Sequence, residues 1–331
     1  MGTKKEEKRS INDDLKSGEL SRVYLIFGTE SYLKTFYKNK LKEAALGDGD
    51  RMNLVSFSGA SVSEQSIIDE AETLPFFADK RVVLIEDSGL FKRQNDLADY
   101  IKNIPETTVV IFVESEVDKR GRLYKAVDEA GVAQEFESLS ESDLLKWIGT
   151  LFKKSGKNIT TANASFFLNR VGADMNNLVN EIEKLVCYTG ERDVIEKEDI
   201  MAVSSEHIEG KIFDMMDAIG AKKQEEALKL YYDLIALRQA PLSILALTIR
   251  QFNILFQIKD MTARHLDNKS IASAVGIPPF AVGKNIAQSR NFSLSTLKEA
   301  IEYGNQLETD FKRGLIEDRI ACELLIIKYS M

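Results

Sequence analysis

The stretch Val23-Tyr-Leu-Ile-Phe-Gly-Thr-Glu-Ser-Tyr-Leu-Lys-Thr35 decides how the first part of the chain folds. Its first five residues are all apolar, which is typical of a strand buried on both faces of a sheet. Gly28 ends this run, and a helical pattern follows through about residue 45. A strand that passes through a glycine turn into a helix indicates the first unit of a parallel α/β sheet.

Four more strand-like segments repeat this pattern up to residue 137. Helix-length segments lie between strands, so we expect right-handed crossovers and a parallel sheet covered on both faces. The third and fourth strands are nearly all apolar, as central strands of a parallel sheet should be. The predicted strands are 23–27, 53–57, 81–85, 108–113 and 133–136.

The turn after the first strand follows the phosphate-binding P-loop motif G-x-x-x-x-G-K-[ST] only in part. Gly28, Lys34 and Thr35 stand in register with the motif, but Leu33 replaces its second glycine. That glycine normally lets backbone N–H groups approach the phosphates, which a leucine does not permit. Glu30 also places a negative charge where polyphosphate would lie. We therefore expect the fold of a nucleotide site without its chemistry, with Lys34 and Thr35 as ordinary helix-face residues.

The sequence gives no positive indication of catalysis, of a cofactor or of a metal site. Magnesium at a nucleotide site would need an acidic residue after an apolar strand. Glu86, Asp87 and Glu114 stand at such positions, where acidic residues are common. No C-x-x-C, H-E-x-x-H or G-x-S-x-G motif is present. We expect no cofactor, no metal and no active site within this chain.

Strand-like segments give way to helices after residue 140. Ser140 and Asp143 are placed to cap the first helix, and Gly190 ends the third. These helices predict a compact module over residues 140–209, followed by an all-α bundle over residues 210–331. The predicted helices are 144–154, 162–171, 174–188 and 198–203 in the module, and 212–221, 224–238, 241–264, 268–275, 279–289, 294–313 and 316–329 in the bundle.

Charge and composition limit the classes of function. The 331 residues carry a formal net charge of −8, with a pI near 5.2. A protein that grips the phosphate backbone unaided is usually basic, so we expect any nucleic-acid role to be shared or indirect. Unbroken aliphatic runs reach only about five residues, whereas a membrane helix needs about twenty, so no membrane span is expected.

The amino-terminal residues and the two cysteines indicate a cytoplasmic protein. The first residues mix both charge signs and contain no apolar core, so we do not expect a signal peptide. Cys187 and Cys322 lie far apart in apolar helical patterns. We interpret both as buried core thiols, without a disulfide framework.

Three segments resemble the delta subunits of the bacterial DNA polymerase III clamp loader, which are relatives of the AAA+ ATPases. They are 23–30, 74–85 and 172–185, and the resemblance extends over essentially the whole chain. It implies an AAA+-type α/β domain with a degenerate P-loop at 1–139, a helical lid at 140–209 and a helical collar at 210–331. The ATPase members of the family have an intact P-loop and a Ser-Arg-Cys motif, and this chain has neither.

The same resemblance implies a role in chromosomal replication. A delta subunit binds the sliding clamp (beta) and opens its ring for loading onto primed DNA, without hydrolysing ATP itself. The other partners implied are the gamma/tau and delta prime subunits, contacted through the collar, and primed DNA within the complex; no membrane is implied. Any enzyme class would come from the assembly, a DNA-directed DNA polymerase and hence a nucleotidyltransferase.

The segment Leu74-Pro-Phe-Phe77 contains the residues implied to bind the clamp. Pro75 stops the preceding helix. From the residues alone, the two rings are either core residues that close the end of the sheet or an exposed anchor. The resemblance favours the anchor, with Phe76 and Phe77 entering a pocket on the clamp and Leu74 as a supporting contact. Family members often have Leu-Phe at this pair, so Phe76 is a mild departure that keeps the apolar chemistry.

The most basic stretch, 118–125, follows the fourth strand. Arg120, Arg122 and Lys125 are candidates for contacts with DNA or with the acidic rim of the clamp. Because acidic residues flank this stretch, a solvated loop is the favoured interpretation.

Two alternative functions stay open at this point. The chain is a weak AAA+-like ATPase if Lys34 and Thr35 still support nucleotide binding despite Leu33. It is a non-catalytic AAA+-like scaffold if the bundle oligomerises and the phenylalanine pair is buried.

Overall fold

The structure, a computed structural model, describes residues 9–47, 51–204 and 208–331. The chain divides into two compact units, residues 1–138 and 139–331. The strands of the first unit are β1 (Val23–Phe27), β2 (Leu54–Ser58), β3 (Arg81–Glu86), β4 (Thr108–Glu114) and β5 (Val132–Glu135). Its helices are α1 (Ile11–Ser17), α2 (Ser31–Leu46), α3 (Glu64–Glu72), α4 (Leu97–Tyr100) and α5 (Arg122–Ala130).

The five strands form one parallel sheet in the order β2-β3-β4-β1-β5. Every residue of β1 and β4 is buried, and so are the first five of β3, whereas the edge strand β2 is half exposed. This agrees with the apolar runs, because a central parallel strand is covered on both faces. The predicted α/β parallel-sheet class is confirmed, and each predicted strand lies within one residue of the observed one at both ends.

Alternate residues of the central strands build two separate cores. Val23, Leu25 and Phe27 face one core, which α3, α4 and α5 complete. Tyr24 and Ile26 face the other, which α1 and α2 cover. A period of two along β1 thus places helices on both faces of the sheet.

Three parts of the first unit differ from the predicted pattern. The sequence analysis did not predict α1, which Ser10 caps and Ile11 anchors in the core. The β3–β4 connection is not one crossover helix, since only the short α4 and two 3₁₀ turns occupy it. The basic stretch 118–125 is not entirely a loop, because α5 begins at Arg122 and buries Leu123 against the sheet.

Over residues 139–204 and 208–331 the second unit is helical apart from two short strands. It begins with α6 (Glu141–Lys154), β6 (Asn158–Ile159), α7 (Thr161–Val171), α8 (Met175–Thr189), β7 (Val194–Ile195) and α9 (Lys197–Val203). It continues with α10 (Ile208–Gly220), α11 (Gln224–Ala236), α12 (Pro241–Ala263), α13 (Asn268–Val275), α14 (Pro279–Ser289), α15 (Leu294–Lys312) and α16 (Asp318–Ser330). The predicted helical region is therefore confirmed; its division at residue 210 into lid and collar stays a prediction.

Within the described residues, α12 is the one helix long and apolar enough to cross a membrane by length and composition. The expectation based on unbroken aliphatic runs missed this, because isolated polar residues interrupt an otherwise apolar helix. In the structure α12 packs against α10, α14, α15 and α16, and Phe252 and Leu255 lie in their common core. We interpret α12 as the central helix of the bundle.

The two cysteines have different environments, so the expectation of two buried thiols is wrong for one of them. Cys322 is buried, and burial raises the pKa of its thiol to about 12. Cys187 is exposed, since the buried face of α8 includes Ile182, Leu185 and Thr189 and Cys187 points away from it. Helical spacing, rather than local apolarity, decides which side chain faces the core.

Candidate functional site

The segment with Leu74, Phe76 and Phe77, hereafter the wedge, lies in the loop between α3 and β3. All strands of the sheet are parallel, so residues that precede a strand lie at the amino edge of the sheet. The α3 helix ends at Glu72, and Thr73 leaves it in an extended conformation. The wedge therefore lies at the amino edge, next to the start of β2.

All three apolar side chains of the wedge are exposed. Phe77 is 95% exposed, Leu74 76% and Phe76 54%. The two rings form an edge-to-face pair with centroids 4.6 Å apart, an arrangement that aromatic rings favour. The wedge rings are thus surface groups, and they do not close the end of the sheet.

A buried amide holds the main chain of the wedge. Asn53 is 0% exposed, and its Nδ2 donates to the Phe76 carbonyl oxygen at 2.9 Å. Its Oδ1 accepts from the Phe76 backbone N–H at 2.6 Å. Phe77, the next residue, has a positive φ of 47°, which is rare for a non-glycine residue. The two exposed rings therefore project from a backbone that the buried Asn53 side chain holds in place.

The base of the wedge loop is braced as well. Arg81 is 8% exposed, donates from Nε to the Glu70 carbonyl oxygen at 3.0 Å and pairs with the Glu70 carboxylate. Thr73 Oγ1 donates to the Asp69 carbonyl oxygen at 2.8 Å. The Arg81 contacts tie the end of α3 to the start of β3, and the Thr73 bond closes the last turn of α3. The loop between them has two fixed ends.

Gly28, the first residue of the degenerate P-loop, lies at the opposite, carboxyl edge of the sheet. Its φ is 115°, and a Cβ here would lie 2.3 Å from the Phe136 carbonyl oxygen. That oxygen accepts from the Glu30 N–H at 2.9 Å, and the Phe136 N–H donates to the Phe27 carbonyl oxygen at 2.7 Å. The glycine is needed here for the close approach of the chain after β5.

The rest of the degenerate P-loop is occupied by contacts within the protein. Helix α2 already begins at Ser31, and the Glu30 carboxylate caps it by accepting from the Tyr32 N–H at 3.1 Å. Leu33 packs against the core, and Thr35 is exposed on the helix. Lys34 Nζ lies 3.4 Å from the Glu114 carbonyl oxygen. A carboxylate thus occupies the helix end that would otherwise face a phosphate.

The acidic residues at the ends of β3 and β4 also have partners. Glu114 is 3% exposed and accepts from the Ser88 N–H at 3.0 Å and from the Gly89 N–H at 3.3 Å. Glu86 pairs with Lys38 at 2.6 Å, and Asp87 accepts from the Ser115 hydroxyl at 3.1 Å. These carboxylates stabilise turns and a helix at the carboxyl edge. Among the described residues, no group of three or more His, Cys, Asp or Glu side chains is placed to hold a metal ion.

The basic stretch is exposed, and its arginines are paired with carboxylates. Arg120 pairs with Asp118 at 3.0 Å, and its side-chain hydrogen bond lowers the pKa of the Asp118 carboxyl group. Arg122 pairs with Asp99 at 2.7 Å. Lys125 is exposed on α5. The local excess of positive charge is therefore smaller than the sequence indicated.

The candidate residues do not form a single site. The degenerate P-loop and the start of the basic stretch follow strands and lie at the carboxyl edge, whereas the wedge precedes a strand and lies at the amino edge. The sequence analysis missed Asn53, which it placed inside β2. In the structure β2 begins one residue later, at Leu54. Nothing local in the sequence links Asn53 to a loop more than twenty residues away.

A cleft in the second unit has a volume of about 1010 Å³. Residues of α7, α8, α10, α12 and α14 line it, including Arg250, Gln251 and Asn285. Gln251 Nε2 donates to Asn285 Oδ1 at 2.8 Å. The polar side chains that line the cleft are largely engaged in such internal contacts. None of the candidate residues lines the cleft.

Comparison with known proteins relates both units to one family. The family model described as "DNA polymerase III, delta subunit" matches residues 24–136, and that of the "DNA polymerase III delta subunit, C-terminal domain" matches residues 209–329. Together these two models of the same subunit match most of the chain.

Individual relatives agree with the family models. DNA polymerase III subunit delta of Bacillus subtilis is 27% identical over 327 residues, which are 95% of this chain and 94% of the relative. The probable DNA polymerase III subunit delta of Aquifex aeolicus is 25% identical over 272 residues, 77% of this chain and 76% of the relative.

A solved structure shows the same fold. The Bacillus subtilis DNA clamp loader delta protein superimposes with a TM-score of 0.82 at 25% identity, covering 97% of this chain and 98% of that one. The match spans the parallel sheet and the helices of the second unit alike. This chain belongs to the DNA polymerase III delta-subunit family.

Proposed function

We propose that this chain is a clamp-loader delta subunit that binds the sliding clamp through Leu74, Phe76 and Phe77 and opens its ring. The observation that carries the proposal is the exposure of two adjacent phenylalanine rings on a braced loop. Exposed apolar patches of this kind mark interaction sites. Family membership supplies the context of DNA replication.

The energetics of the wedge suit a binding hot spot. Burying one large apolar side chain contributes about 1.5–3 kcal/mol, so two rings in a pocket supply the affinity typical of a hot spot. A loop whose backbone is already fixed loses little conformational entropy on binding. Leu74, three residues before Phe77, adds apolar area at the margin of the same contact.

Ring opening follows if the chain binds the open clamp more tightly than the closed one. A ligand shifts a conformational equilibrium only by its difference in affinity for the two states. The energy for opening therefore comes from binding at the wedge and from contacts around it. In this scheme ATP bound by other subunits controls access to the wedge, and this chain needs no nucleotide itself.

We further propose that this chain does not hydrolyse ATP. Glu30 caps the helix end where phosphate would bind, Leu33 fills the place of the second P-loop glycine, and Glu114 is engaged with Ser88 and Gly89. The alternative of a weak ATPase is disfavoured because Glu30, Leu33 and Glu114 are each engaged by other groups of the protein.

The isolated chain is expected to show no saturable binding of magnesium-ATP at millimolar concentration. The Lys34→Ala variant should retain clamp affinity within about twofold and lose no more than about 1 kcal/mol of unfolding free energy, because it gives up one long hydrogen bond to the Glu114 carbonyl oxygen. Calorimetry and urea unfolding measure the two quantities. ATP binding that disappears in Lys34→Ala and increases in Leu33→Gly would instead support the ATPase alternative.

The basic stretch is proposed to lie outside the surface that contacts the clamp. It begins at the edge of the sheet opposite the wedge, and its arginines are paired. Replacing Arg120, Arg122 and Lys125 together by alanine is expected to change clamp affinity less than about twofold, because the stretch begins at the other edge of the sheet and the two arginine charges are already compensated. A loss of fivefold or more in a calorimetric titration would place the stretch on the clamp rim.

The remaining proposals concern the assembly and its location. Helices α10–α16 of the second unit are proposed to form the collar that contacts the gamma/tau and delta prime subunits. Primed DNA is proposed to be bound by the complex as a whole. With a net charge of −8, this chain is not expected to hold DNA alone. The proposed location is the cytoplasm.

The direct test uses the clamp of the same cell and no nucleotide. Calorimetric titration should give a saturable complex between this chain and the clamp. A clamp preloaded on nicked circular DNA should then dissociate faster when this chain is added without ATP. A folded chain that does not bind the clamp would rule out the proposed function, and binding without faster release would rule out ring opening by this chain alone.

A further inference from the structure

We propose that Asn53 is the positioning residue of the wedge, and that its buried amide holds Phe76 and Phe77 in the conformation that binds the clamp. The inference rests on the proposed function of the wedge. It assigns a role to a residue that contacts no partner itself.

The place of Asn53 follows from the sheet order. Asn53 directly precedes β2, and the wedge loop precedes β3, which is the neighbour of β2. Residues that precede two neighbouring parallel strands lie side by side at the amino edge. A side chain just before the start of β2 can therefore reach the loop that enters β3.

Asn53 bonds to both main-chain groups of a single residue. Its Nδ2 donates to the Phe76 carbonyl oxygen at 2.9 Å, and its Oδ1 accepts from the Phe76 N–H at 2.6 Å. A side-chain amide has a donor and an acceptor of the same chemistry as a peptide group. The Asn53 amide thus pairs with the backbone of Phe76 in the way that a neighbouring strand would. Alanine, serine or an acid does not reproduce both bonds.

The two bonds constrain Phe77 in turn. Phe77 has a φ of 47°, a strained conformation for a non-glycine residue that persists only where its surroundings impose it. The side chain of Phe77 is 95% exposed, so its own packing does not hold this conformation. The φ of Phe77 is constrained instead by the backbone of Phe76, which Asn53 fixes. Without Asn53, we expect the backbone to relax to negative φ and the ring pair to separate.

Loss of this constraint lowers the fraction of molecules that are ready to bind. The apparent dissociation constant rises in inverse proportion to that fraction. If the paired-ring conformation falls from the main state to about a tenth of the population, clamp affinity falls about tenfold. The side chains proposed to contact the clamp are unchanged in this variant. The loss of affinity therefore comes entirely from the changed placement of the two rings.

The test compares Asn53→Ala with Asn103→Ala in the intact chain. Asn103 also donates a side-chain hydrogen bond to a main-chain carbonyl, that of Asp99 at 3.3 Å, but on a connection without a wedge. Asn53→Ala is expected to weaken clamp binding about tenfold and to speed amide exchange across residues 73–80. Asn103→Ala is expected to bind the clamp as the wild type does. Asn53→Leu, which fills the buried space with a side chain of similar shape, serves as the second variant if Asn53→Ala does not fold.

A double-variant cycle separates positioning from general destabilisation. In a Phe77→Ala background only the Phe76 ring is left to be positioned and the ring pair no longer exists, so Asn53→Ala should then weaken binding less than threefold. Equal losses in both backgrounds, or wild-type affinity for a folded Asn53 variant, would overturn the inference while leaving the proposed function intact. Absence of clamp binding by the wild-type chain would overturn both.

Discussion

Replacing Phe76 and Phe77 together by alanine is expected to weaken binding to the sliding clamp at least tenfold, a loss of about 1.4 kcal/mol or more. Phe77 is 95% and Phe76 54% exposed in the free chain. Each ring therefore has most of its apolar area available for burial in a partner, and two buried rings bring the expected loss to the order of a hundredfold. Calorimetric titration with the clamp, without nucleotide, measures the change.

The matched control is Phe36→Ala, which removes another exposed aromatic ring from the same unit. Phe36 is 38% exposed and packs edge-to-face on Tyr37, and it lies on α2 rather than at the amino edge. It should retain wild-type clamp affinity. Because the wedge rings are exposed, the double variant should also unfold within about 1 kcal/mol of the wild type. A double variant that binds the clamp like the wild type would show that the complex forms through another surface.

The sheet was predictable because its central strands are continuous apolar runs bounded by polar residues. Val23–Phe27 and Thr108–Glu114 leave no alternative to burial on both faces. The connection between β3 and β4 was not predictable in detail, since a four-residue helix and two 3₁₀ turns leave no periodicity to detect. The exposure of Cys187 was also not predicted, because apolar neighbours in the sequence do not determine which way a helical side chain points.

The sequence singled out Phe76 and Phe77 as candidates but could not give their environment. A Phe-Phe pair after a proline is compatible with a core position and with an anchor, and only the tertiary fold decides which is exposed. Glu30 was predicted to repel phosphate; its capping of α2 depends on where the helix begins. The contact of Asn53 with Phe76 depends on the order of strands in the sheet. Sequence spacing alone does not contain that order.

The second large effect is expected for Gly28→Ala, which should lower the free energy of unfolding by about 3 kcal/mol. A Cβ at this position would lie 2.3 Å from the Phe136 carbonyl oxygen, and the φ of 115° is one that L side chains rarely adopt. The oxygen cannot move freely, because it accepts from the Glu30 N–H, and the Phe136 N–H donates to Phe27. Urea unfolding followed by circular dichroism measures the loss.

Gly59→Ala separates the cost of the backbone conformation from the cost of the clash. Gly59 also has a positive φ, of 83°, but a Cβ there would meet no atom within 4 Å. This variant should lose about 1 kcal/mol, the conformational cost alone. The difference between the two variants then reports the close approach of Phe136 to the first residue of the degenerate P-loop. Equal losses would show that the contact with Phe136 does not exclude a Cβ at residue 28. A glycine would then be required there only for its positive φ.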